Sequence, residues 1–393
     1  MDRAAPANCK NILFVSTIGD LYGGERSLLE VVKQMSPAWR PRFVIPGPGR
    51  FMGALEDAGY SFDVLTLHHG TGLRAAIKKL QTIARLCGLF RRHEIDVVHL
   101  NLHYAAPLVA LSCLLSRIPL VVHVRNIEER DRSMLYRHLF RRATAYVCIS
   151  QAVFRKLLEK KLLSGRQAGN VWVIPDGRDT SLYEHGDGKR IRQELGIGDR
   201  TPLVGMVARI EPMKGQDIFL KMAALVASRI PEVHFLMAGD LMEGRHKSYM
   251  EDLIDLQNRL GLNGRVSIVG YREDIPDILA ALDCFVHSSH HGAFVSVLIE
   301  VLAAGVPIVV SDVDGIPECV GREGAADLVS PIDPETFAGA VIRTLTDPAR
   351  ADRMSRLGRE RAKRCFTIEQ LARQTEEVFV GALRATRDAD LTT

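Results

Sequence analysis

The sequence predicts an α/β protein built from two doubly wound, Rossmann-like domains in tandem. Three observations carry this. Short apolar runs alternate with segments of helical spacing along nearly the whole chain, the pattern of parallel strands covered by helices on both faces. The alternation is broken once, by the polar, Gly- and Asp-rich stretch 176–201, which reads as a linker with a short helix. The 393 residues also suit two domains of roughly 100–200 residues each. A composition of 47% hydrophobic and 25% charged residues excludes a disordered chain, a collagen and a small disulfide scaffold.

In the first domain the strand candidates are 11–16 (NILFVS), 42–45, 61–65, 96–100, 120–124, 145–149 and 171–174. Leu28, Leu29, Val31, Val32 and Met35 give 27–35 a helical spacing, and further helical segments cover 72–93 and 151–161. The uncharged stretch 100–116 contains Pro107 and is shorter than the roughly 20 residues that span a membrane, so it reads as a strand end plus a buried helix. In the second domain the strands are 203–207, 234–238, 266–269, 284–287, 307–310 and 326–329, with closing helices over 333–346 and 367–383. The expected limits are 1–178 for the first domain, 179–201 for the linker and 202–366 for the second domain. A C-terminal helix and tail over 367–393 is expected to pack back on the first domain. Ligands of doubly wound sheets bind beyond the carboxyl ends of the strands, so two such domains facing each other imply a deep cleft.

Charge is unevenly distributed. Through Arg178 there are 26 Lys+Arg against 14 Asp+Glu, and beyond it 25 against 33. A basic first half suits a polyanionic partner or an anionic membrane, although clustered solvated charge gives the same count. Seven cysteines, an odd number without a C-x-x-C pair, read as buried reduced thiols of a cytosolic protein. No charged segment followed by an apolar one opens the chain, so no secretory leader is expected.

Four local patterns bear on chemistry. In GMVARIEPMKG (205–215), Arg209 and Lys214 leave a strand end on one loop. An arginine fork and a lysine point charge converging there suit a diphosphate, and a solvated loop pair is the plainer reading. In the stretch 292–318, a helix over 296–304 ends at Gly305, and its N-terminus offers free N–H groups to an anion. Glu300 lies within that mostly apolar helix. It must either meet a Lys or Arg or accept hydrogen bonds from ligand hydroxyls. The Gly-rich turn 19–24 lets a backbone approach a ligand closely, but G-x-G-x-x-G, the dinucleotide signature, does not occur in it. His99, His103 and His123 lie near strand ends; with His99 in a strand and no H-E-x-x-H present, zinc is rejected. Asp312-Val313-Asp314 is a literal D-x-D in a Gly-containing turn and reads as a chance match to a metal-binding motif.

At these residues the sequence resembles the retaining family 4 glycosyltransferases of GT-B fold (glycosyl transferases group 1). GVPIVVSDVDGIPE after the IEVLAAG helix, VARIEPMKGQD, MAGD (237–240), VGYREDIPDILAALDCFVHSS (269–289) and VIPDGRDTSLY (173–183) fall in the family's order, and ISQAVFRKL, HVRN and the Gly-rich turn fit in the first half. The resemblance implies that Arg209 and Lys214 grip the donor diphosphate and that Glu300, second acid of an E-x7-E pair, bonds the nucleotide ribose. It implies that the backbone at Tyr271-Arg272 meets the base, that the helix start at Val295, Ser296 and Val297 faces phosphate, and that Gly23 and Gly24 approach the donor. His123 would stand beside the transferred sugar, and no metal or other cofactor is implied. The pair's first acid is replaced by Gly292, after His290 and His291, and Asp176 stands where Asn is common.

The expected function is retaining transfer of a sugar from a nucleotide sugar to a hydroxyl of a glycan or lipid-linked acceptor. The setting would be cell-surface polysaccharide or glycolipid synthesis, in the cytoplasm or peripherally at the inner face of the membrane. No nucleic-acid partner is expected. A catalytically silent binding subunit and a nucleotide-sugar epimerase are the alternatives. Donor turnover that requires acceptor separates them from the transferase.

Overall fold

The computed structural model describes residues 9–68, 70, 72–126, 133–241 and 246–391. It divides into two compact units, Met1–Asp176 together with Ile368–Thr393, and Gly177–Thr367.

The first unit is a seven-stranded sheet of β1 (Lys10–Val15), β2 (Trp39–Ile45), β3 (Phe62–Val64), β4 (Val97–Leu100), β5 (Leu120–Val124), β6 (Ala145–Cys148) and β7 (Val171–Val173). The order is β3-β2-β1-β4-β5-β6-β7, with every neighbouring pair parallel. Ile12, Leu13, Phe14 and Val15 are all fully buried, as a strand covered on both faces requires. The uncharged 100–116 stretch resolves into the end of β4 and the helix Ala106–Ser116. The helix Ile368–Leu391 belongs to this unit: Leu371, Val378, Phe379 and Ala382 join its core. Phe379 meets Phe14, Trp39 and His99 edge-on at ring-centroid distances of 5.4–6.1 Å.

The second unit carries β8 (Leu203–Val207), β9 (His234–Ala238), β10 (Val266–Ile268), β11 (Cys284–His287), β12 (Ile308–Ser311) and β13 (Asp327–Val329). Their order is β10-β9-β8-β11-β12-β13, again parallel. In each sheet the strand order reverses once, beside β1 and β4 in the first and beside β8 and β11 in the second. Such a switch point opens a crevice at the carboxyl ends of the strands, where ligands of doubly wound sheets bind. The Gly-rich turn and the Arg209–Lys214 loop leave the sheets at these two points.

One boundary differs from the expectation. Residues 179–201, expected as a linker, are folded into the second unit. Thr180–Tyr183 and Gly188–Glu194 are helical, and Arg192 anchors the segment by donating to Ala281 O (2.7 Å) and Asp283 Oδ2 (2.8 Å). Its polar composition reflects these ion pairs rather than an exposed tether. All seven cysteines are free thiols, five of them buried.

Candidate active site

In the second unit, β8 delivers the loop that carries Arg209 and Lys214. The two cations meet on one atom: Glu211 Oε1 lies 3.1 Å from Arg209 Nη2 and 4.0 Å from Lys214 Nζ. Burial lowers the Lys214 pKa and nearby Arg209 adds to this, while Glu211 works the other way. Gly215 follows at φ +70°, where a β-carbon would overlap the Ser288 carbonyl oxygen. Ser288 Oγ donates to Gly215 O (2.8 Å) and the His290 amide to Met213 O (3.0 Å). The cation loop is thereby fixed against the loop that leaves β11.

That second loop leads into the helix Val297–Ala304, one residue later than the sequence suggests, with Ser296 as its N-cap. Val295 is buried, and Ser296 and Val297 are half-buried. Gly305 ends the helix at φ +71°, the left-handed cap expected. Glu300 is buried and finds its cation in Arg178, whose Nε lies 3.2 Å from Glu300 Oε1. Arg178 is itself buried, and its Nη1 donates to Gly177 O at 2.9 Å. So the pairing branch of the Glu300 alternatives is realised, by a residue 122 positions away.

Tyr271 is exposed. The Arg272 side chain is taken up by Glu194 (2.5 and 2.9 Å) and Asp274 (2.8 and 2.7 Å), which raise its pKa. Of Tyr271-Arg272, the backbone rather than the Arg272 fork is what this arrangement leaves for a ligand. Asp312, first residue of the D-x-D, is held by both Arg322 nitrogens at 3.0 and 2.8 Å.

In the first unit, the helix Gly23–Gln34 begins at the Gly-rich turn. A β-carbon on Gly23 would meet open space, whereas one on Gly24 would lie 3.3 Å from Arg125 Cδ. Around this turn the sheet's carboxyl end collects a buried polar network that sequence reasoning missed. Glu25 Oε1 accepts from Ser16 Oγ and Asn101 Nδ2, both at 3.2 Å. Arg125 Nε donates to Asn101 Oδ1 (3.3 Å) and its Nη1 to Asp176 Oδ1 (2.7 Å), which also accepts from Ser27 Oγ (2.8 Å). Burial pushes the Glu25 carboxyl up to about 7, against the pull of Arg125 and of its hydrogen bonds. The local signal was slight: one acid directly after Gly-Gly, followed by Arg26 and Ser27, at the start of a helix.

His123 lies at the carboxyl end of β5, its ring 5.6 Å from that of His99. Both are buried, and burial followed by the Arg125 charge depresses both, His99 to about 3. His123 Nε2 has no hydrogen-bond partner among the described residues. A neutral imidazole with an open nitrogen can donate to or accept from a ligand hydroxyl.

Two parallel doubly wound units, each gathering polar groups at its switch point, define the GT-B class of α/β enzymes. Residues 22–182 match the family Glycosyltransferase Family 4 and residues 187–361 match Glycosyl transferases group 1. The chain is thus a GT-B-fold glycosyltransferase related to both. Its structure is similar to that of Anabaena Alr3699/HepE in complex with UDP and glucose, with a TM-score of 0.82 and 26% identity over 94% of this chain and 99% of that one. The sequence is 25% identical over 342 residues to the Escherichia coli UDP-Gal:alpha-D-GlcNAc-diphosphoundecaprenol alpha-1,3-galactosyltransferase, covering 83% of this chain and 85% of that protein. It is 29% identical over 217 residues to the mannosylfructose-phosphate synthase of Agrobacterium fabrum, 53% of this chain but only 47% of that protein's length.

Proposed function

We propose that the chain is a retaining hexosyltransferase. It moves a sugar from a nucleoside-diphosphate donor to a hydroxyl of a glycan or lipid-linked acceptor in cell-surface polysaccharide or glycolipid synthesis. The observation that carries this is the convergence of Arg209 and Lys214 on a single carboxylate oxygen at the second sheet's switch point. A donor diphosphate would replace Glu211 as their shared anion. The bond from the anomeric carbon to the diphosphate breaks, and the two cations and the amides at the start of the Val297–Ala304 helix take up the charge on the leaving group. The acceptor hydroxyl then bonds to the anomeric carbon from the side the diphosphate left, and its proton passes to a departing phosphate oxygen. In this reading Glu300 offers its carboxylate to the ribose while Arg178 orients it. The backbone at Tyr271-Arg272 meets the base. The structure with UDP and glucose bound to a relative 26% identical supports a nucleotide-sugar donor.

The test is incubation with a panel of UDP- and GDP-hexoses, with and without a lipid-linked acceptor. Consumption of donor only when acceptor is present, with the anomeric configuration kept in the product, is the expected result. Interconversion of free donor would make the chain an epimerase, and binding without turnover a silent partner.

The reading extends to an anionic membrane surface as the place where a lipid-linked acceptor is met. Among the described residues no helix is long and apolar enough to cross a membrane. The first unit instead exposes Leu73 (79%), Leu80 (65%), Met134 (88%) and Leu135 (68%) on the helices Leu73–Arg92 and Met134–Phe140. Lys78, Lys79, Arg85, Arg91, Arg92, Arg137 and Arg141 lie among them in sequence. Apolar side chains within a basic segment support peripheral attachment at the inner face, in the cytoplasm.

A further inference from the structure

The loop that carries the two cations has its main chain fixed along most of its length. Gln216 Nε2 donates to Arg209 O at 2.7 Å, the Ile210 amide to Asp240 O at 3.0 Å, the Lys214 amide to Glu211 O at 2.9 Å and the His290 amide to Met213 O at 3.0 Å. Gly215 is packed closely against the Ser288 carbonyl oxygen. A ligand that enters here must therefore be accommodated by side chains. Glu211 is the side chain with room to respond. Its backbone is extended, and its carboxylate does not cap the helical turn Pro212–Lys214 that it precedes. That carboxylate is committed to Arg209 Nη2 (3.1 Å) and Lys214 Nζ (4.0 Å).

The cluster is held firmly enough to form and loosely enough to exchange. Burial works against the Lys214 charge and Arg209 adds to that, while Glu211 supports it. Two cations so close call for an anion whether or not a donor is present. The side chains are 41% exposed for Arg209, 20% for Lys214 and 18% for Glu211, and ion pairs open to water to this degree are weak. An anion that reaches both cations must displace the carboxylate first. Its apparent dissociation constant is then the intrinsic one divided by the fraction of molecules in which Glu211 has turned away.

We propose that Glu211 is a built-in competitor of the donor diphosphate. It covers Arg209 and Lys214 while the site holds no diphosphate, and it turns away by side-chain rotation when donor enters. It returns as the nucleoside-diphosphate product leaves, lowering donor affinity and shortening product residence. No bond is made or broken in the exchange; one anion takes the place of another. The inference rests on the reading of this loop as the diphosphate grip. Release of product limits turnover in many enzymes, and an acid poised to recapture the grip acts on that step.

The sign of the effect makes the test sharp, because removing a contact should tighten binding. UDP, GDP, ADP, dTDP and pyrophosphate are titrated by calorimetry into the full chain as wild type, Glu211→Gln, Glu211→Ala and Glu211→Asp. The preferred nucleoside diphosphate and pyrophosphate should both bind about three- to fivefold tighter in the Gln and Ala variants, the range of a partly exposed ion pair. Asp keeps the charge but retracts it by one methylene, and should gain less. In acceptor-dependent turnover the inhibition constant of the product diphosphate should fall by the same factor. The gain should shrink when Glu211→Gln is placed on Lys214→Ala, since one of the two contested cations is then gone. Asp217→Asn, which removes an acid paired with Lys221 at 3.0 Å, controls for net charge. Unchanged or weaker diphosphate binding in the Glu211 variants overturns the inference alone and makes Glu211 a prop for the cations. An equal gain in Asp217→Asn overturns it as well. Binding of no diphosphate by wild type or by any variant overturns the diphosphate-grip reading and the inference with it.

Discussion

The cations and carboxylates of this protein divide into those held ready for a ligand and those spent on the fold. Arg209 and Lys214 are of the first kind in this reading: both face Glu211 Oε1 on their own loop, where a donor diphosphate would take its place. Lys214→Ala should raise the donor KM about ten- to a hundredfold, the equivalent of a charge-assisted contact of roughly 1.5–3 kcal/mol. Arg209→Lys should behave like a loss, since a point charge replaces a fork. Wild-type donor kinetics in both variants would remove these residues from the site. Glu300 is of both kinds. Glu300→Gln should raise the donor KM and also lower the melting temperature, because Arg178 would stay buried beside a neutral partner. Breaking a buried pair outright costs about 3–5 kcal/mol, and Gln should lose part of that. Glu25 has a pH signature. Its folded carboxyl lies at about 7 against 4.5 in the unfolded chain, so between those values the folded state binds more protons. Stability owed to neutral Glu25 is therefore full below about 4.5 and fades as pH rises to about 7, by about 3 kcal/mol. Glu25→Gln should cancel that loss, gaining on wild type from pH 5 to pH 7 in chemical denaturation. An offset independent of pH would show that the carboxyl titrates normally. His99, depressed from 6.5 to about 3 by burial, contributes the opposite slope: stability present above about 6.5 and lost as pH falls toward 3.

At the scale of elements, the helix Leu73–Arg92 is where folding and function separate most cleanly. Its Ile83, Leu86, Cys87 and Phe90 are buried, while Leu73, Ile77 and Leu80 face outward. Leu73→Glu with Leu80→Glu should abolish sedimentation with phosphatidylglycerol vesicles at low salt yet change stability by no more than about 0.5 kcal/mol. Equal sedimentation of wild type with phosphatidylglycerol and phosphatidylcholine would end the membrane proposal. Elements were also what the sequence made most legible. Each of the thirteen strands lies within three residues of a β-branched or apolar run read as one, because strands buried on both faces need continuous apolar sequence. The helix Pro348–Cys365 went unread for an equally physical reason. Its core contacts are Met354, Gly358 and Ala362, and Gly358 is pressed against Leu302, so small residues carry the packing and no apolar period shows. The site was legible where its chemistry is local, as in the Arg209–Lys214 loop. It was hidden where partners are distant. Arg178 with Glu300, and Glu25 with Asn101, Arg125 and Asp176, come together only because parallel strands bring separate loops to one sheet end.

For the whole molecule, the chain path sets what can fold alone. The chain leaves the first unit after Asp176, completes the second as one continuous stretch, and returns at Ile368. The two passages are paired: the Arg178 amide donates to Phe366 O at 2.9 Å, and Arg178 bridges Thr367 in parallel. Residues 177–367 therefore contain every strand of their sheet and both core clusters packed on it. Residues 1–176 lack the helix that completes theirs. Phe379 alone, fully buried among Phe14, Trp39 and His99, is worth about 3–5 kcal/mol on truncation to Ala. That is a large share of the roughly 5–15 kcal/mol by which a domain is stable. The fragment 177–367 should unfold cooperatively and bind nucleoside diphosphate without the rest of the chain. The fragment 1–176 should show no cooperative transition. Joining residue 176 to 368 through a flexible linker of about five residues, which reaches up to ~17 Å, should restore one, and Phe379→Ala in that fusion should weaken it again. Calorimetry of the three fragments decides the matter. A sharp transition in 1–176 alone, unchanged by adding 368–393, would mean that the C-terminal helix is an accessory to the first unit and not part of its core.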